Sequence, residues 1–272
     1  MRPDPGIFGP ESVTWRVHAE PLLWLGGIRA LLLQSTHPLA LAGVMGHSDF
    51  RADPWGRLFR TAQYVGTVTF GSTAEAQRAA AKVRGIHRTV RGIDPASRRP
   101  YRASDPELLT WVHVTEVDSF LSTARRGGLA LSAQEADQYV AEQARAGALL
   151  GVPDDRVPHT VSEIDEYYRS IRSELAVGAP AREAARFILH PPMPRKVELL
   201  TPARPAWYSM GALAFALLPR WTRRLYGLPG LPTTDLSATI AARSLRAGLM
   251  TLPRRYREGP AYLAAQERLG LL

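Results

Sequence analysis

The residues best placed to do chemistry are histidines and arginines set into an alanine-rich helical pattern. Seven histidines occur, at 18, 37, 47, 87, 113, 159 and 190. Around His87, the residues Ala76, Ala80, Val83 and Val90 recur with it at three- and four-residue spacing, which puts the imidazole on the buried face of a helix. A neutral imidazole there offers one lone pair inward. The alanines at 76, 79, 80 and 81 would let something flat approach that helix closely, and Arg84, Arg88 and Arg91 stand within about a turn of His87, suited to carboxylates. The same pattern also suits a core histidine bonded to a neighbouring helix, with the arginines in solvent. Periodicity alone leaves both open.

A second constellation lies upstream. Arg57, Thr61, Tyr64 and Val68 share one stripe of a helix, with Arg60 beside it. An arginine and a hydroxyl one turn apart make a polar notch that could donate to dioxygen or a carboxylate, although threonine also back-bonds its own helix and arginine pairs with aspartate. His113 and Glu116 are three apart on a further helix. A dimetal carboxylate site needs two Glu-x-x-His motifs and two more glutamates, which the chain does not supply. His113 is therefore expected to be a supporting donor or an interhelical hydrogen bond. His37 precedes Pro38, which excludes it from helical geometry and makes it a helix start. No nucleophile elbow, phosphate-binding loop, dinucleotide glycine pattern or zinc-peptidase motif is present.

The elements that must position these groups read as helices. Ser72–Glu75, Ser104–Glu107, Ser132–Glu135 and Thr160–Glu163 each have the capping-box spacing. Apolar spacing predicts helices near 10–19, 21–34, 37–47, 54–70, 73–91, 105–125, 133–149, 161–175, 181–189, 205–225, 234–249 and 259–269, with loops at 92–102, 151–159 and 191–205. No succession of alternating strands is found, and the 22 prolines are scattered without forming a linker. The expected architecture is all-α: one domain over 1–272, a bundle of roughly ten to twelve helices.

Composition narrows the chemistry. The 272 residues include no cysteine, which excludes disulfides, thiolate metal sites and a thiolate-ligated haem. The net charge is +9 and the isoelectric point near 10.3, carried by arginine, since Lys82 and Lys196 are the only lysines. That charge permits attraction to anionic ligands or membrane surfaces. No helix-turn-helix or aromatic platform supports a nucleic-acid partner, and none is expected. The N-terminus has no export signal, so a cytoplasmic location is expected. The most apolar run, 206–219, is shorter than the roughly 20 residues of a spanning helix and reads as a core or surface-lying helix.

Four segments in order carry a resemblance. They are Gln34-Ser-Thr-His37-Pro38-Leu-Ala-Leu-Ala-Gly43-Val, Asp53-Pro-Trp-Gly56-Arg57-Leu-Phe-Arg60-Thr61, Arg84-Gly-Ile-His87-Arg88-Thr-Val-Arg-Gly92 and Leu109-Thr-Trp111-Val-His113-Val-Thr-Glu-Val-Asp118. Together they resemble the catalytic domain shared by bacterial latex clearing protein, a rubber oxygenase, and the fungal MpaB oxygenase. The resemblance implies a b-type haem in a helical, globin-like pocket, with His87 as the iron ligand and Arg84 as its partner. Arg57 and Thr61 match an Arg-x-x-x-Thr pair near the haem, and Arg60 stands where rubber-cleaving members carry a lysine. Arg88, Arg91 and His113 are the further residues expected at the cofactor. The implied partners are dioxygen and an apolar, alkene-containing or isoprenoid-like small molecule, cleaved or oxygenated at the double bond. The alternative is a non-catalytic haem- or lipid-binding helical protein. Residues 207–221 are expected to line the ligand's entry or to rest peripherally on a membrane surface.

Overall fold

The computed structural model describes residues 3–48 and 51–271, which are helical almost throughout. In chain order, α1 (Val13–His18), α2 (Leu23–Gln34), α3 (Pro38–His47), α4 (Pro54–Phe70) and α5 (Thr73–Thr89) lead to a hairpin of β1 (Arg91–Ile93) and β2 (Pro100–Arg102). Then follow α6 (Pro106–Gly127), α7 (Ala133–Leu150), α8 (Val161–Ser170), α9 (Ala179–Leu189), α10 (Arg195–Leu200) and α11 (Ala203–Ala216). The chain closes with α12 (Arg220–Leu225), α13 (Pro232–Met250), α14 (Arg254–Arg257) and α15 (Pro260–Leu269). The fold is all-α, with fifteen helices among the described residues rather than ten to twelve.

The helix ends show how local chemistry sets the boundaries. Ser72 and Ser132 form reciprocal capping boxes with Glu75 and Glu135. At Thr160 only half forms: its hydroxyl accepts from the Glu163 amide at 3.2 Å, while the Glu163 carboxylate accepts from the His159 amide at 2.7 Å. The fourth box is displaced. Pro106 has no N–H and fits the first helical position, so Asp105 rather than Ser104 caps α6, accepting from the Glu107 amide at 2.9 Å. The expected helix 205–225 is two helices, because Pro219 cannot continue the ladder. The expected loop 92–102 holds the antiparallel hairpin, paired Arg91↔Arg102, Gly92↔Tyr101 and Ile93↔Pro100.

The core is built around α6, which packs on α2, α7 and α13. Leu25, Ile28, Leu32 and Leu33 of α2 meet Trp111, Val114, Val117 and Phe120 of α6 in one buried cluster. Gly26 permits this approach: a Cβ there would lie 2.9 Å from the Phe120 ring and 3.2 Å from the Ser119 carbonyl. A buried polar network crosses the same layer. Arg29, 2% exposed, donates to Asp118 at 2.9 Å and Ser119 at 2.6 Å, and the Tyr168 hydroxyl donates to Asp118 at 3.1 Å. A buried guanidinium is tolerated because its donors are satisfied. The last carbonyls of α11 are held likewise, Ala216 by Arg223 at 2.6 Å and Leu217 by Arg29 at 3.0 Å, so cations sit at the negative end of that helix.

The hairpin of α4 and α5 packs differently. The two helices pack on each other, α4 also on α1 and α15, and α5 on α7, but neither packs closely on α2 or α6. The closed end of the hairpin is anchored: Trp15 Nε1 donates to the Thr69 carbonyl at 3.1 Å, and the Phe70 ring lies between Trp15 and Tyr262 at 5.2 Å from each. Asp4 accepts from the Thr73 amide at 2.8 Å. Towards the other end, α4 stands off α6 and meets α2 at its edge, where the Phe59 and Trp24 rings lie 5.9 Å apart.

Candidate functional site

The space left by that offset is an apolar cavity of about 150 Å³. Ile28 and Leu31 of α2, Leu41 and Val44 of α3, Trp55, Leu58 and Thr61 of α4, Val112 of α6, Ile188 of α9 and Trp207 of α11 line it. Gly27 lies on the same face of α2, a turn before Leu31, and a Cβ on it would meet nothing within 4 Å. Two indoles form one wall. Trp55 and Trp207 meet edge to face with centroids 4.7 Å apart, and each is pinned by its N–H, Trp55 to the Pro192 carbonyl at 2.8 Å and Trp207 to the Ile188 carbonyl at 3.0 Å.

Arg57 brings the cavity its positive charge. Asp53 and Pro54 start α4, with the Asp53 carboxylate accepting from the Gly56 amide at 2.9 Å, and the first turn carries Arg57 inward. Its guanidinium donates to Ser48 Oγ, and burial draws its pKa down, with the nearby Arg60 charge adding. Among the described residues it meets no carboxylate. Thr61, exposed to the cavity, donates back to the Arg57 carbonyl at 3.1 Å. Arg60 points outward and pairs with Asp53 at 3.0 Å.

His87 lies on α5, whose Ala76 and Ala80 are fully buried. Its Nδ1 is buried and has no hydrogen-bond partner among the described residues, and burial lowers its pKa, so the ring is neutral at neutral pH. Arg84, one turn earlier, is half-buried and donates to the Leu149 carbonyl near the end of α7. Arg88 and Arg91 are exposed, Arg91 in β1. Of the three arginines expected around His87, the fold turns one inward and two to solvent.

A second group of titratable residues lies between α4, α5 and α6; like His87, none of them lines the cavity. His113 of α6 packs on Gly147, where a Cβ would lie 3.2 Å from the ring, and burial pushes its pKa down to about 4. Glu116, one turn on, is deep in the molecule yet keeps some accessible surface, and burial pushes its carboxyl up to about 7. The Tyr64 hydroxyl of α4 is buried without a partner, and its pKa is raised by burial first and then by the Glu116 charge, with Arg84 opposing. Tyr64, Arg84 and Glu116 therefore bring α4, α5 and α6 into one electrostatic group.

Two further histidines are accounted for by structure. His18 is buried with both nitrogens satisfied, Nδ1 by Thr69 Oγ1 at 2.7 Å and Nε2 by Tyr139 at 3.0 Å. His37 caps α3 as expected, its Nδ1 accepting from the Ala40 amide at 3.4 Å. Sequence reasoning did not find the Trp55–Trp207 wall or the Ser48 contact of Arg57. Both unite distant or loop-borne residues that no periodicity links. The run 207–221 is mostly half-buried: Leu217 and Leu218 are 1% exposed, Trp207 lines the cavity, and the guanidinium of Arg172 lies 3.8 Å over the Trp221 ring.

Comparison with known proteins places the geometry in context. The family model described as "ER-bound oxygenase mpaB/B'/Rubber oxygenase, catalytic domain" matches residues 15–252. Uncharacterized proteins of Mycobacterium bovis and Mycobacterium tuberculosis are each 29% identical over 133 residues, covering 49% of this chain and 52% of theirs. The chain thus spans about half the length of the curated relatives it matches. No solved structure matches it significantly.

Proposed function

Because the chain belongs to the family of mpaB-type and rubber oxygenase catalytic domains, we propose that it is a haem b-dependent oxygenase acting on an apolar alkene or isoprenoid-like small molecule. The observation that carries this reading is the buried, unpartnered nitrogen of His87. A buried polar atom without a partner is costly, on the order of 1–3 kcal/mol, and a ligand that engages the ring relieves that cost.

The residues present fit such a cofactor. His87 has a buried Nδ1 without a partner among the described residues, and Arg57 and Thr61 of the neighbouring α4 line the cavity, which His87, Arg84 and His113 do not. Among the described residues no three His, Asp or Glu side chains converge on a metal position, so iron here would draw its remaining ligands from the cofactor, as porphyrin nitrogens provide. His87 would hold the iron. Arg84 and Arg57 from within, with Arg88 and Arg91 at the outer edge, would face the propionates, and His113 would support the site. The haem, once bound, supplies the binding and activation of dioxygen.

The chain's own residues supply the setting. The indole wall and the aliphatic lining exclude water and favour an apolar substrate. Arg57 and Thr61 place donors inside that lining, and Arg60, held by Asp53, fixes the start of α4. Glu116, titrating near 7, holds or releases a proton at its carboxyl at neutral pH. We propose a cytoplasmic location and a single domain over 1–272.

The test is the visible spectrum and pyridine haemochrome of protein produced with ample haem, beside His87→Ala. The expected result is a Soret band with near-stoichiometric b-type haem, lost in the variant, followed by oxygen uptake with a short isoprenoid. A haem-free protein, or full retention by His87→Ala, overturns the ligand assignment. Haem or lipid binding with no oxygen uptake from any alkene favours the binding-protein alternative.

A further inference from the structure

A lone exposed leucine needs no explanation, but α10 presents two, Leu199 and Leu200, each 80% exposed, with Val197 38% exposed beside them. The helix begins with Arg195 and Lys196, both exposed and without an acidic partner among the described residues. Its one acid, Glu198, is paired with Arg204 of α11. A short helix thus carries protruding leucines and two unpaired cations on one small surface.

Its position gives that surface a meaning. Pro191, before α10, and Trp207, after it, both line the cavity. The Trp55 bond to Pro192 and the Trp207 bond to Ile188 fasten the connecting chain to the cavity wall, so α10 projects from the rim of the pocket. We propose that α10 docks onto an anionic lipid bilayer, which places the pocket mouth at the membrane surface. The leucines enter the headgroup and acyl boundary while Arg195 and Lys196 meet lipid phosphates. An apolar ligand then passes from the bilayer to the cavity without crossing water. This delivery step rests on the reading of an apolar ligand, whereas the docking does not.

The experiment is co-sedimentation of the purified chain with phosphatidylcholine vesicles, with and without about a quarter phosphatidylglycerol. The chain is expected to pellet with the anionic vesicles and to be released by salt. Arg195→Gln with Lys196→Gln should cut the partition coefficient roughly 30-fold on anionic vesicles and barely change it on neutral ones. Leu199→Ser with Leu200→Ser should weaken binding to both, with circular dichroism and thermal unfolding unchanged because these side chains are exposed. Failure of the wild type to bind anionic vesicles, or wild-type binding by either double variant, overturns the proposal. So does a leucine variant that turns a dimer into a monomer without altering partition, which would assign the face to a second copy. A chain that partitions but carries no haem leaves docking intact and refutes only the oxygenase reading.

Discussion

His18 is buried and His87 partly so with its Nδ1 inside, and what separates them is partners. His18 has a hydroxyl on each nitrogen, whereas His87 has a buried nitrogen with none. The helical rhythm that put His87 on an inner face was legible in the sequence. The lack of a partner was not, because it depends on how far α4 and α5 stand from α6. Glu116 was hidden for the same reason, since its spacing from His113 suggested only a weak metal pair. Its consequence can be measured. The folded pKa, about 7, lies above the ordinary 4.5, so the carboxyl stays protonated in the fold while the unfolded chain ionises. Its contribution to stability is present below pH 4.5 and is lost as pH rises to about 7. Glu116→Gln should therefore match the wild type in urea unfolding near pH 4.5 and exceed it by on the order of 2 kcal/mol at pH 8. Equal differences at both pH values would remove Glu116 from the group of perturbed residues.

Among the elements, adjacent glycines of α2 face opposite surroundings. Gly26 lies against α6, whereas Gly27 faces open space a turn before the cavity-lining Leu31. Gly26→Ala should destabilise by about 1–3 kcal/mol through overpacking. Gly27→Ala should stabilise by about 0.5–1 kcal/mol through helix propensity, and denaturant midpoints distinguish the two. Gly27→Phe should fill the cleft and lower haem loading while leaving the thermal transition in place. Loading at the wild-type level would show that the space before Gly27 is not the cofactor's. Capping-box spacing marked the starts of α5, α7 and α8 and, one residue off, α6, apolar periodicity marked most of the rest, and proline explains the main departures. Pro106 moved a cap by one residue and Pro219 split a helix, while the prolines of 191–194 made the segment holding α10 read as a loop. The strands were unreadable because three residues each of Arg, Gly, Ile, Pro and Tyr carry no alternation.

At the scale of the whole molecule, buried histidines set the response to acid. The pKa of His18 falls to about 3 and that of His113 to about 4, both through burial. The unfolded chain takes up these protons near 6.5 and the fold does not, so their contribution is full above 6.5 and is lost as pH falls towards 4. Glu116 opposes this between 4.5 and 7, but two histidines outweigh one carboxyl. Stability by urea unfolding should fall on acidification from pH 6.5 to 4, steeply enough that a flat profile would contradict the burial of these rings. No helix among the described residues is long and apolar enough to cross a membrane.

The hairpin of α4 and α5 is fixed at its closed end by Trp15, Phe70, Tyr262 and Asp4, and is held more lightly towards the other by Trp55 on Pro192 and by Phe59, whose ring lies 5.9 Å from Trp24 of α2. Mechanically that is a lever with a fulcrum at one end and a latch at the other. Its cheapest excursion swings the arm bearing Arg57 while the end near Thr69 stays still, so amides of 54–60 should exchange with deuterium sooner than those of α6. A ligand seated under the arm would slow that exchange, and the swing would set how long the ligand stays.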